Sequence, residues 1–316
     1  MRRRKEEDMR QNSAYIYDPV YLEHDTGEWH PESPRRLLAV ERAVSGLKPR
    51  LLQLSPIRVS EKLLLRVHTP EHIEAVRLAC EAEEPIDADT VCVRRSWDAA
   101  LTAAGAGIVA LDAAKAGKID RAFCAVRPPG HHATRNRSMG FCLFNNIAVA
   151  ARYAQSIGYE KVAIVDFDVH HGNGTQDIFY DDGSVLYLST HQYPAYPGTG
   201  LSTERGIGRG EGTTFNFPFP PGSGDKELIP VYTEKLPVIL DDFKPDIILV
   251  SAGYDLHKAD PLAQLEVTTE GIRTIVRAIL NTAKTLPVLF FLEGGYNVEA
   301  LGESVFVTIE EMLGGE

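Results

Sequence analysis

The chain has 316 residues, 44% hydrophobic and 24% charged, proportions of an ordinary globular protein of one large domain or two smaller ones. Its net charge of −11 argues against nucleic acid as the principal partner but leaves room for basic peptides or polyamines, which an acidic surface attracts over long range. No apolar run is long enough to span a bilayer, and the start MRRRKEEDMRQ lacks the apolar core of a secretory signal, so a cytoplasmic protein is expected.

In chain order, eight segments read as strands: Ala14–Asp18, Leu51–Leu54, Arg121–Arg127, Val162–Asp168, Val185–His191, Thr213–Phe219, Asp246–Asp255 and Pro287–Gly294. Helical patterns fall between them, over Pro34–Leu47, Pro70–Cys80, Trp97–Ala116, Asn146–Ile157, Lys226–Phe243 and Thr269–Leu286, with another helix after Tyr296. Near-continuous apolar strands alternating with helices predict an α/β protein with a mainly parallel sheet covered on both faces. There is no repeat, low-complexity tract or linker-like shift, so residues 13–316 are expected to form a single domain behind a flexible segment 1–12. The four cysteines, Cys80, Cys92, Cys124 and Cys142, form no CxxC pair and read as small buried hydrophobes in a reducing compartment.

Chemistry collects in the loops that follow strands. The first such loop, EHDTGEWHPESPRR, holds His24, His30 and two adjacent arginines. In RPPGHHATRNRSMGFC, two prolines and a glycine stiffen the approach to the pair His131–His132. The stretch VAIVDFDVHHGNGT begins as a buried strand and breaks into a polar loop. Asp166, Asp168 and His170, spaced two apart, would project to one face of that strand. Two carboxylates and an imidazole there are costly unless paired or holding a metal, and ligands of open α/β sheets sit at that edge. HQYPAYPGTG reads equally as a rigid aromatic wall or as a packed surface loop. DIILVSAGYD ends at Asp255. PVLFFLEGGY ends in two glycines, which form either an ordinary turn or a close approach to a ligand that brings Tyr296 to the same edge.

Asp168, His170 and Asp255 could therefore reach one point, and three N and O ligands with an open fourth position describe a catalytic zinc site. Zinc can lower the pKa of a water to about 7. Such a site needs a base, which a histidine of ordinary pKa near 6.5 supplies, and an oxyanion donor, which the neutral phenol of Tyr296 supplies. Asp166 could orient one histidine of the pair and Asn173 the other without adding charge, which would separate their pKa values and roles. His24, His30, His68, His72, His191 and His257 read as ordinary structure.

The motifs RPPGHHA, GFCLFNNIAVAA, DFDVHHGNGTQDIFY, YPGTG, SAGYD…DPLA and LEGGYN resemble the zinc-dependent histone deacetylase family, especially its class II and bacterial members, which include acetylpolyamine amidohydrolases. The likeness runs from about Tyr15 to the C-terminus. It implies the arginase–deacetylase fold, a parallel eight-stranded sheet between helices. It implies Zn²⁺ on Asp168, His170 and Asp255, His132 as general base, and His131 as an electrostatic partner buttressed by Asp166. Tyr296 would polarise the scissile carbonyl. Gly140 and Phe141, with Tyr196 where Phe is common, would line a tunnel for an acyl-lysine stem. Arg36 matches an arginine of an internal acetate-release channel, and K⁺ near Asp166, Asp168 and Ser189 follows family practice.

Two departures stand out. Asn173 replaces the Asp of class I members, and CVRRSW replaces an SPGSW-like segment at the tunnel rim. Tyr296, rather than the His of weakly active class IIa members, implies true turnover. The expected substrate is an acetylated lysine of a peptide or protein, with acetylpolyamine as the rival. Leu262, where a glutamate gatekeeper would favour polyamines, leans towards lysine. An arginase-like binuclear manganese hydrolase lacks an evident second ligand set, and a non-catalytic binding module is at odds with an intact His131, His132 and Tyr296.

Overall fold

The computed structural model describes residues 12–315; the segment expected to be flexible lies, up to residue 11, outside them. All eight strands form one sheet: β1 (Ser13–Ile16), β2 (Leu52–Leu54), β3 (Arg121–Cys124), β4 (Val162–Asp166), β5 (Val185–Gln192), β6 (Thr214–Phe219), β7 (Ile247–Ala252) and β8 (Val288–Leu292). Their order is β2-β1-β3-β8-β7-β4-β5-β6, and every pairing is parallel. The central strands β4, β7 and β8 are buried throughout, as their unbroken apolar runs require.

Helices cover both faces: α1 (Arg35–Val44), the short α2 (Glu61–Leu64), α3 (Pro70–Ala82), α4 (Ser96–Lys115), α5 (Asn146–Ser156), α6 (Asn173–Phe179), α7 (Asp225–Pro230), α8 (Leu236–Phe243), α9 (Thr269–Ala283) and α10 (Val298–Met312). Several begin on side-chain caps that sit directly on the functional loops. Asn145 accepts from Ala148 N at 3.0 Å at the start of α5, and Asn297 accepts from Ala300 N at 3.0 Å at the start of α10. The helix expected over Lys226–Phe243 is two helices, joined by a π-type turn over Val231–Lys235. Pro230 and Pro237 flank that turn, and neither can donate a backbone hydrogen bond to the ladder.

The strands stop earlier than the apolar runs suggest. β4 ends at Asp166, so Asp168 and His170 are not alternate residues of one strand but belong to the loop beyond it. The physical reason is that carboxylates replace the ladder as acceptors. Asp166 Oδ1 accepts from Asp168 N at 3.1 Å, Asp168 Oδ1 from His170 N at 2.9 Å, and Asp255 Oδ1 from Val169 N at 2.9 Å. β3, β7 and β8, expected to run to Arg127, Asp255 and Gly294, also stop early, and beyond β8 Gly294 N again donates to a carboxylate, Asp168 Oδ2, at 2.8 Å.

His68 shows what the buried structural histidines do. Its Nδ1 lies 2.9 Å from Thr134 O and its Nε2 accepts from Asn145 N at 2.9 Å, tying the His131–His132 loop to the start of α5. Burial first, then the neighbouring His72, pushes its pKa down to about 3. The folded chain keeps it neutral while the unfolded chain protonates below about 6.5, so acidification costs stability there. The stability advantage of wild type over His68→Gln should therefore shrink by about 1.4 kcal/mol for each pH unit below about 6.5. Urea unfolding of both proteins at several pH values measures this; a constant difference would contradict it.

Candidate active site

The carboxyl ends of β4, β7 and β8 converge on Asp168, His170 and Asp255. Among the described residues these form the one group of three His, Cys, Asp or Glu side chains whose ligand atoms lie within 4.8 Å of one another. His170 Nδ1 lies 3.3 Å from Asp168 Oδ1 and 3.0 Å from Asp255 Oδ2. Burial, then the charge of Asp168, pushes the Asp255 carboxyl up to about 7. Two buried carboxylates this close hold their charge only with a cation between them. The backbone makes room for the two carboxylates to converge: a Cβ on Gly253 would run into Asp168, and a Cβ on Gly294 would run into both Asp255 and Asp168. Two oxygen donors and an imidazole nitrogen fit a divalent transition-metal ion.

Beside this cradle stand His131 and His132, with ring centroids 4.0 Å apart. His131 Nδ1 lies 3.1 Å from Asp166 Oδ2, and its Nε2 lies 3.8 Å from Asp168 Oδ2. Asp166 is held in turn by the hydroxyl of Tyr187, at 3.1 Å. Burial works to lower the His131 pKa, but Asp168, then Asp166 and Glu293, outweigh it and raise the group to about 10. His132 goes the other way. Burial, then the charges of His131 and His170, holds it well below the ordinary histidine value. Its Nδ1 lies 2.8 Å from Asn173 Oδ1, the first residue of α6, while Asn173 Nδ2 points to Met139 Sδ at 3.5 Å. An acceptor at Nδ1 puts the proton there and leaves the Nε2 lone pair free for chemistry.

The walls come from three loops. Gly140 and Phe141 both have positive φ, +56° and +68°; for a bulky residue such as Phe141 this is strained backbone. Phe141 stands 5.7 Å edge-on to Tyr296 and 4.9 Å from His30. Tyr196, 42% exposed, stands edge-on to His132 at 5.1 Å and to His170 at 6.2 Å, so its loop is a wall rather than a packed surface loop. Leu262 is half exposed and is joined to the site through the turn at Asp260, whose Oδ1 accepts from Leu262 N and Oδ2 from Tyr296 N. Arg36 is buried 5.1 Å beneath the Tyr296 ring. It donates to Gly295 O at 2.6 Å, to Glu32 Oε1 at 2.9 Å and to Glu293 O. Ser189 sits beside Asp166 across β4 and β5 and bonds His191 Nδ1 at 2.9 Å.

Sequence reasoning missed four participants. Glu32 bridges two buried guanidiniums, Arg36 and Arg127; Arg127 Nη2 donates to its Oε2 at 2.8 Å. Burial opposes ionisation of Glu32, but Arg127, then Arg36, holds its carboxyl far below the usual range. Glu32→Gln would leave two buried cations without a counter-charge, and a loss of about 3–5 kcal/mol in unfolding free energy is expected by chemical denaturation. Unchanged stability would contradict the bridge. Glu293 lies under the histidine pair and is taken up below. Glu293 and Arg127 each end an apolar strand run, the same signal that drew attention to Asp166. His171, packed on His191 with ring centroids 4.7 Å apart, bonds Thr199 Oγ1 at 2.7 Å and thereby anchors the Tyr196 loop.

A cation cradle, two histidines of opposed pKa and a phenol at the carboxyl edge of an open parallel sheet together make a centre of hydrolytic type. Comparison with known proteins names the family. The histone deacetylase domain profile matches residues 30–312. A probable deacetylase of Archaeoglobus fulgidus is 39% identical over 91% of this chain and 82% of its own length. Histone deacetylase 10, chloroplastic, of Oryza sativa subsp. japonica is 43% identical over 91% of this chain and 70% of its own. The crystal structure of the HDA15 HD domain superposes with a TM-score of 0.91 at 37% identity, covering 96% of this chain and 88% of that one. The chain belongs to the histone deacetylase family and has the arginase–deacetylase fold.

Proposed function

We propose that this protein is a zinc-dependent amidohydrolase that removes acetyl groups from lysine side chains, releasing acetate and the free amine. The observation that carries the reading is the meeting of Asp168, His170 and Asp255 beside a histidine pair whose pKa values are driven apart. Zinc bound by these three residues supplies Lewis acidity towards the amide carbonyl and the attacking water. His132 takes the proton of that water at Nε2, since Nδ1 is engaged by Asn173, and its depressed pKa keeps it free to do so. His131 stays cationic between Asp166 and Asp168 and steadies the negative charge that develops. Tyr296 donates a hydrogen bond from its phenol, without giving up the proton, to the carbonyl oxygen as the tetrahedral centre forms. His132 then passes its proton to the departing amine nitrogen. Gly140, Phe141 and Tyr196 confine the aliphatic stem of the substrate, and Arg36 lies on the route assigned to acetate.

Lysine is preferred to polyamine as substrate because Leu262 offers no negative charge to a second cationic amine. Four buried free cysteines suit a reducing cytoplasm, and Asp166, Asp168 and Ser189 offer oxygens for a structural K⁺. The test is kcat/KM for an acetyl-lysine peptide beside acetylputrescine on the same preparation. A clear preference for the peptide is expected. A preference for acetylputrescine would move the function to polyamine deacetylation.

A further inference from the structure

The residue immediately after β8 is a carboxylate that the reaction does not consume. Glu293 is fully buried and has no Lys or Arg ion pair among the described residues; Arg36 touches its backbone carbonyl, not its side chain. Instead, Oε2 accepts from Gly130 N at 2.7 Å and from His131 N at 3.2 Å, while Oε1 accepts from Ser251 Oγ at 3.2 Å. β3 has already ended at Cys124, so no ladder partner serves these two backbone donors. A buried N–H left unsatisfied is costly, which makes Glu293 the element that fixes where the histidine loop runs.

The neighbouring residues extend this link to the rest of the site. Gly294 N donates to Asp168 Oδ2 at 2.8 Å, Gly295 O accepts from Arg36, and Tyr296 N donates to Asp260 Oδ2 at 2.6 Å. Four consecutive residues thus tie the histidine pair, a cradle carboxylate, the buried arginine and the phenol to one strand end.

We infer that Glu293 is a positioning residue for catalysis: through the Gly130 and His131 amides it sets the placement of the His131–His132 pair against the cation cradle and Tyr296. This rests on the hydrolytic reading of the site. The histidines act on the water and the leaving nitrogen rather than on the substrate stem, so their displacement lowers kcat and leaves KM alone.

The test uses the zinc-loaded full chain with an acetyl-lysine peptide, and wild type and His132→Ala as references. If wild type does not turn over, or His132→Ala is fully active, the hydrolytic reading fails and not this one. Given both references, Glu293→Ala should lower kcat by about 10- to 10²-fold at unchanged metal content, with KM within about twofold. Glu293→Gln keeps an oxygen for both amides and a group for Ser251, so it should restore most of the rate. In the metal-free protein, the imidazole N–H signals of the histidine pair by NMR should move in Glu293→Ala and not in Glu293→Gln. Wild-type kcat in Glu293→Ala, an effect on KM alone, or a Gln variant as slow as the Ala variant would overturn the assignment. Should Glu293→Ala not fold, Ser251→Ala carries the test: a kcat loss of about three- to tenfold at unchanged KM supports it, and an unchanged kcat overturns it.

Discussion

Tyr296→Phe is expected to lower kcat by about 10²- to 10³-fold while the fold and the bound metal remain. The Tyr296 ring stands edge-on to Phe141, and its backbone is pinned by Asp260. Burial, then the nearby Asp255, raises its pKa well above the usual value, so it keeps its proton across the working range. That proton is wanted most when the carbonyl oxygen gains charge, so the loss should fall on kcat and kcat/KM together, with KM little changed. Phe preserves the ring that packs on Phe141 and covers Arg36, which separates the hydroxyl from the packing. Steady-state kinetics on an acetyl-lysine peptide decides this. A loss below about threefold would show that the oxyanion is stabilised elsewhere.

Asp255→Ala should abolish both metal retention and turnover. Asp255 does two jobs with two oxygens: Oδ2 faces His170 across the cradle, and Oδ1 accepts from Val169 N. Alanine removes both and leaves a buried backbone donor unsatisfied in the loop that carries Asp168 and His170. Asp255→Asn separates the two effects. Its amide oxygen can still receive Val169 N–H, but the negative charge is gone, so metal affinity should fall while thermal stability stays closer to wild type than in the alanine variant. Metal analysis of both variants after dialysis measures this. Full zinc retention in Asp255→Ala would mean that the ligand set is wrong.

What was legible in the sequence follows from how each feature is encoded. Buried parallel strands are written as short unbroken apolar runs, and all eight runs correspond to strands. Their ends were not legible. In DFDVHH the carboxylates themselves capture the backbone donors, and nothing local in an apolar run marks where that begins. The same feature explains why Asp168 and His170 meet Asp255 through a loop rather than along one strand face. The residues brought together at the cradle were legible because each carries its chemistry in its own side chain. Glu32 and Arg127 were not, because their meaning lies in a contact between positions 95 residues apart. Glu293 was hidden by its neighbours, since LEGGY draws the eye to its glycines and tyrosine. The break between α7 and α8 had a visible cause in Pro230 and Pro237, but the amphipathic pattern continued across it.

The proposed amide hydrolysis depends on a cation at Asp168, His170 and Asp255. The direct measurement is acetate release from an acetyl-lysine peptide by the purified chain, before chelation, after chelation, and after stoichiometric zinc is returned, with metal content determined at each stage. About one zinc per chain is expected in the active protein. Acetate release should be lost with the metal and recovered on its return. Acetate release that persists in the metal-free protein, or zinc that rebinds equally well to Asp255→Ala, would contradict that dependence.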